Sequence, residues 1–184
     1  ELDIRTKRII ADHARSIAFL ISDGIRPSNK EQGYVLRKLM RRIITYNFLA
    51  KSDLTIMHDI FAKVAEIYGQ YYSKLNANEI IYEFDREREK FEKILPKGIK
   101  EFKSFFSLKN TNYTIGKSKY PQYNVGDDRV LGKIFFRFYE SFGMPFEILK
   151  EMAGEGVTNL TREVFDEEFK KHQAKSRAGA EKKF

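Results

Sequence analysis

A mainly α-helical fold of about six helices in two packed lobes is what this sequence predicts, and three observations predict it. Apolar residues recur at spacings of three and four along most of the 184 residues. Stop and start signals for helices, at Gly24, Ser28 and Gly143, fall between the periodic stretches. One polar segment, about 108–132, lacks the period and reads as an irregular loop or short β-hairpin. Hydrophobic residues make up 42% of the chain, enough to build a core and to exclude general disorder.

The first helix is expected over Arg8–Asp23, where Ile9, Ile10, Ile17, Leu20 and Ile21 share one side and Gly24 ends it. Ile25, Arg26 and Pro27 turn the chain, and Ser28 with Glu31 has the spacing of a capping box that opens the second helix. There Val35, Leu36, Leu39, Met40, Ile43 and Ile44 form one stripe, leaving Arg37, Lys38, Arg41 and Arg42 on a face free for a partner. A third helix, Leu54–Tyr72, is expected to turn Ile56, Ile60, Phe61, Val64, Ile67, Tyr68 and Tyr71 inward.

A longer helix follows over about Asn78–Phe106. Its mixed-sign stretch DREREKFEK reads as a solvated face, and Pro96 and Gly98 are expected to kink or break it. After the polar segment, with strand-like TNYTI and YPQYNV, the helical period returns at Ile134, Phe135, Phe138 and Tyr139. A short helix over Phe146–Met152 and a last one from Thr161 to about Lys175, with Val164, Phe165 and Phe169 inward, complete the order.

Thirty-four Lys and Arg against 26 Asp and Glu leave a net charge of +8, which favours a polyanionic partner through counterion release. There are no cysteines, so disulfides and thiolate metal sites are excluded, and a cytoplasmic location is expected. No apolar run approaches the roughly 20 residues of a membrane span. Without an initiator methionine, and ending in SRAGAEKKF, the chain is expected to be a segment of something longer.

Nothing in the sequence marks an autonomous catalytic centre. His13, His58 and His172 stand far apart and form no two-histidine metal spacing, so each is assigned a structural or surface role. Gly154–Gly156 reads GEG but lacks the strand and the lysine of a nucleotide cradle. No catalytic residue, cofactor site or metal site is therefore assigned.

Three blocks, IADHARSIAFLISDGIRPSN, GYVLRKLMRRII and FRFYESFGMPFEI, resemble the part of alanyl-tRNA synthetases that follows the class II catalytic core. That family commonly shows Ile-Ala-Asp-His, an Asp-Gly-x-x-Pro-Ser-Asn turn, a Gly-Tyr-Val-Leu-Arg-Arg helix and, later, Tyr-Asp-Thr-Tyr-Gly-Phe-Pro. EREKFEKILPKGI is similar to the family's long connecting helix, and HQAKSRAGAEKKF to the stretch leading towards its editing domain. The likeness covers nearly the whole chain except for about Leu108–Asp128, where the family usually has a shorter connection.

The resemblance implies one tRNA-recognition unit, with residues 1–106 as an N-terminal helical lobe with a long connecting helix and 107–184 as an irregular insertion plus a C-terminal helical lobe. It implies partners too: the acceptor stem of tRNA-Ala, an N-terminal class II catalytic domain that would use ATP and Mg, and a C-terminal editing domain. The family identifies its tRNA by a G·U wobble pair, contacted by the asparagine of Pro-Ser-Asn, here Asn29, and by an aspartate, here replaced by Glu140. The exocyclic amine of guanine is the distinctive donor in the shallow minor groove of an A-form stem. An amide can accept from it and also donate to a neighbour, whereas a carboxylate only accepts. Arg37, Lys38, Arg41 and Arg42 are then candidates for contacts to the RNA backbone. The competing expectation is a basic helical protein-interaction module without RNA specificity.

Overall fold

The computed structural model describes residues 2–107, 128–157 and 160–181. Every regular element among the described residues is helical. The expected strands TNYTI and YPQYNV lie outside them, while residues 128–132, expected to be irregular, already belong to a helix. The chain divides into two compact units, Glu1–Ile94 and Leu95–Phe184.

The first unit holds α1 (Ile4–Ser22), α2 (Glu31–Ala50), α3 (Ile56–Tyr68) and α4 (Ala77–Glu92). α1 begins earlier than its apolar period because Asp3 caps it, accepting from the Thr6 amide at 2.8 Å and the Thr6 hydroxyl at 3.0 Å. α4 starts the same way, with the Asn76 side chain accepting from the amides of Asn78 and Glu79. α1 packs on the other three helices, and α4 packs on α2 and α3.

The core of this unit is apolar and closed. It comprises Ala14, Ile17 and Ile21 of α1, Leu36, Met40, Ile43 and Ile44 of α2, Met57 and Phe61 of α3, and Ile80, Phe84 and Phe91 of α4. Phe61 meets Phe84 edge to face, 5.1 Å between centroids. α3 is shorter than expected, and its inward stripe is Met57, Phe61 and Val64. Ile56 and Ile67 lie on its flanks and are exposed, as is Tyr71, which follows the end of the helix, where the helical period no longer governs direction. Val35 of α2 is exposed as well.

The expected long helix is two helices. α4 ends at Glu92, and α5 (Leu95–Ser107) starts afresh. Pro96 explains the break: its ring would clash with the carbonyl four residues back, at Glu92, and it has no N–H to bond it. In the first turn of a new helix neither cost arises. The chain passes from the first compact unit to the second at this break.

The second unit holds α5, α6 (Asp128–Phe142), α7 (Phe146–Ala153), a 3-10 turn over Gly154–Val157 and α8 (Arg162–Glu181). Phenylalanine dominates its core. Phe102 meets Phe135 and Phe138 edge to face, and Phe146 packs on Phe135 and Phe165. A Cβ at Gly98 would lie 2.9 Å from Met144 Sδ and from Phe142 Cβ, so the absent side chain lets α5 approach the end of α6 and the start of α7. No helix among the described residues is long and apolar enough to cross a membrane.

Candidate nucleic-acid interface

The segment from Ser22 to Glu31 is built by its backbone. α1 ends on Asp23, and Gly24 takes the left-handed conformation, φ +86°. Its amide donates to Ile21 O and that of Ile25 to Leu20 O, the bonds of a glycine C-cap. After residues 25–28, which form no regular element, the Ser28 amide donates to Gly33 O at 3.0 Å, folding the turn back onto the first turn of α2.

Gly33 is required here. A Cβ at this position would fall 2.5 Å from Arg26 O and 2.3 Å from Ser28 Oγ. The expected capping box does not form. The first helical bond of α2 runs from the Tyr34 amide to Lys30 O, which makes Lys30 the N-cap, without a side-chain bond. Ser28, two residues earlier, uses its hydroxyl within the turn instead, accepting from the Lys30 amide and donating to Lys30 O.

Asn29 is exposed at the tip of this turn, and its Oδ1 accepts from a terminal nitrogen of Arg37. The other terminal nitrogen of Arg37 donates to Pro27 O at 3.3 Å, and its Nε lies 3.4 Å from Glu87 Oε1. Arg41 Nε donates to the same oxygen at 2.7 Å, and its guanidinium lies 4.8 Å from the centroid of Phe91. Arg26 donates to Ile21 O and Ile25 O and pairs with Glu79 and Glu83.

α4 thus carries an acidic row, Glu79, Glu83 and Glu87, spaced by four on one face, into which Arg26, Arg37 and Arg41 dock. Glu87 is 2% exposed, and Arg37 and Arg41 are 21% and 17% exposed. A carboxylate so removed from water requires this compensation. The row corrects two expectations. DREREKFEK is not simply a solvated face, and the basic side of α2 is not free, because its first two arginines hold α2 and the turn against α4. The reason is geometric: a four-residue repeat of glutamates beside Ile80, Phe84 and Phe91 must share the packed side of α4.

The other expected residues are placed differently. Arg42 bonds the Tyr46 hydroxyl from Nε at 3.3 Å and from a terminal nitrogen at 3.2 Å, and Lys38 is half-buried. Glu140, on α6 of the second unit, is 47% exposed and pairs with His172 Nε2 of α8 at 2.8 Å. His172 therefore has a specific acidic partner, as does His58, whose Nε2 lies 3.0 Å from Asp85 Oδ2. The described residues hold no group of three metal-ligating side chains. Gly154, at φ +65°, opens the 3-10 turn that follows α7.

Sequence reasoning missed Arg26, Gly33 and the glutamate row as builders of the turn. The available signal was the four-residue recurrence of Glu79, Glu83 and Glu87 in register with the apolar residues of the same helix.

The chain aligns over residues 3–184 with the family model for class II (A) tRNA synthetases. An alanine–tRNA ligase of Borrelia garinii subsp. bavariensis is 36% identical over 188 residues, covering 100% of this chain and 29% of that protein. The alanine–tRNA ligase of Nitratidesulfovibrio vulgaris is 34% identical over 173 residues, covering 93% of this chain and 18% of its own length. That of Bacillus pumilus is 32% identical over 172 residues, covering 92% and 18%. The chain thus spans less than a third of these relatives. The chain, helical with an arginine-braced Pro-Ser-Asn turn and matched over nearly all of its length by alanine–tRNA ligases, belongs to the class II (A) tRNA synthetase family.

Proposed function

We infer that this segment recognises the acceptor stem of tRNA-Ala, reads a G·U wobble pair in its minor groove and positions the tRNA for aminoacylation. The observation that carries the reading is Asn29, an exposed amide at the tip of a turn whose backbone is fixed on both sides. The alanine–tRNA ligase relatives supply the substrate. Stem geometry supplies the rest, since the minor groove of an A-form helix is wide and shallow enough for a side chain on a protruding turn.

In this reading the parent enzyme is an alanine–tRNA ligase that works in the cytoplasm. Its catalytic domain, N-terminal to this segment, uses ATP and Mg, and an editing domain lies C-terminal. The segment's part in catalysis is placement of the acceptor end. Glu140, an exposed carboxylate and so an acceptor only, is assigned to the guanine amine, while Lys38 and Arg42 contribute phosphate contacts through their positive charge. Arg37 and Arg41 add positive potential from behind the turn.

The test is fluorescence anisotropy of acceptor-stem hairpins carrying either G·U or G·C, titrated over a range of salt. Steep weakening with salt and a preference for G·U are expected. Asn29→Ala is expected to reduce that preference by about 1–3 kcal/mol, the worth of one good base contact. Equal affinity for both hairpins at every salt concentration would reject the assignment and favour a basic protein-interaction module.

A further inference from the structure

Two tyrosines that follow α3 stand open to solvent, Tyr71 at 76% and Tyr72 at 55% exposure. The turn that carries them is closed by its backbone: both amides donate to Tyr68 O, at 2.9 and 3.0 Å, and the Leu75 amide donates to Tyr72 O at 3.0 Å. Phe19 of α1 holds the cluster from one side, meeting Tyr68 and Tyr72 edge to face with centroids 5.5 and 5.0 Å apart. The Arg15 guanidinium, paired with Asp12 at 2.6 Å, lies at the Tyr68 side chain. Lys74, exposed at the far side of the turn, pairs with no acid among the described residues. Phe19 belongs to the last turn of α1 and Tyr68 closes α3, so the C-terminal ends of these two helices lie together. The turn that bears Asn29 follows α1 directly, and the open rings therefore share its end of the first unit.

We propose that Tyr71 and Tyr72 form a stacking platform for unpaired nucleotides, those that continue the 3′ strand beyond the acceptor stem. This rests on the acceptor-stem reading above and adds to it a contact of a different kind. Every base has a flat apolar face, and an exposed aromatic ring binds that face without reading the edges that distinguish one base from another. Tyr72, packed on Phe19, supplies a fixed ring, and Tyr71 beside it supplies one that adapts to the strand. Lys74 and Arg15 at the rim suit the phosphates between stacked bases. Apart from its two rings the turn Gln70-Tyr71-Tyr72-Ser73-Lys74 is polar, which fits a nucleotide strand better than the apolar side of a protein partner.

The experiment compares the affinity of the full chain for an acceptor-stem hairpin with an unpaired 3′ extension and for the same hairpin with a blunt end. The extended hairpin is expected to bind more tightly, and Tyr71→Ala or Tyr72→Ala to weaken it by about tenfold while leaving the blunt hairpin unaffected. Tyr72→Phe keeps the ring and is expected to keep the advantage. Because the chain has no tryptophan, Tyr71→Trp and Tyr72→Trp each install a single fluorescent reporter. Its emission is expected to be quenched by the extended hairpin and by a short single-stranded RNA oligonucleotide, but not by the blunt hairpin.

Equal affinity for the two hairpins, or an alanine loss that falls equally on both, overturns the platform. So does a loss of the advantage in Tyr72→Phe, which would trace the contact to the hydroxyl rather than the ring. Tyr72 packs on Phe19, so circular dichroism checks the fold of its variants, and Tyr71→Ala, at a ring outside that packing, decides the matter if they unfold. A reporter that no RNA quenches assigns the rings to a protein contact and ends the proposal. The two readings fail separately: a G·U preference without an advantage for the extended hairpin removes the platform alone. Quenching by the oligonucleotide with no G·U preference removes the acceptor-stem reading and leaves a single-strand site.

Discussion

Replacing Glu87 with Gln preserves the shape of the side chain and one carbonyl oxygen while removing the only charge in it. Two guanidiniums then remain beside a neutral amide, Arg41 at 17% exposure and Arg37 at 21%. Removing one member of a fully buried pair costs about 3–5 kcal/mol, because the charge left behind is uncompensated. The arginines here keep about a fifth of their surface in water, and the amide oxygen still accepts one weaker bond, so a loss of about 2–3 kcal/mol is expected. For a chain of this size that corresponds to a fall in Tm of roughly 5–10 °C. Urea denaturation followed by circular dichroism measures it, with the exposed neighbour Glu89→Gln as a control expected to stay within about 0.5 kcal/mol. Equal stability of the Glu87 and Glu89 variants would show that the glutamate row of α4 does not hold α2 and the turn, and the account of the site would lose its foundation.

Gly33→Ala would place a methyl group 2.5 Å from Arg26 O, a backbone atom, so the turn must shift; loss of the G·U preference with helical content retained is expected by anisotropy and circular dichroism. Arg42→Ala should weaken binding to all hairpins alike and reduce the salt slope by about one, whereas Arg41→Ala should act chiefly on stability because that guanidinium is held by Glu87 and Phe91. The hydrogen bonds from Thr6 hold the Asp3 carboxyl below its ordinary 3.8, so its contribution is complete above that value and is lost as pH falls through the lowered one. Thermal melts of Asp3→Asn against the unsubstituted chain should therefore differ at neutral pH and converge in acid, and a constant difference would contradict the cap.

Much of this protein was legible in its sequence because helices are local objects. The three-and-four recurrence of Ile17, Ile21, Leu36, Met40, Phe84 and Phe102 specified the class and most of the core, and Pro96 marked the break between α4 and α5 through sterics that need no tertiary partner. The turn with Asn29 at its tip was equally visible, because Gly24 and Pro27 constrain only their neighbours. Periodicity alone did not assign the charged residues. Arg37 and Arg41 fell on the polar side of α2, and nothing local distinguishes a solvated arginine from one docked on a helix 46 residues away. Nor did the Ser28–Glu31 spacing reveal that the amide of Ser28 was already engaged by Gly33. Charge pairing and backbone closure depend on distance in space, and the packing of α2 on α4 set those distances. That packing turned a row of glutamates into the support of the turn.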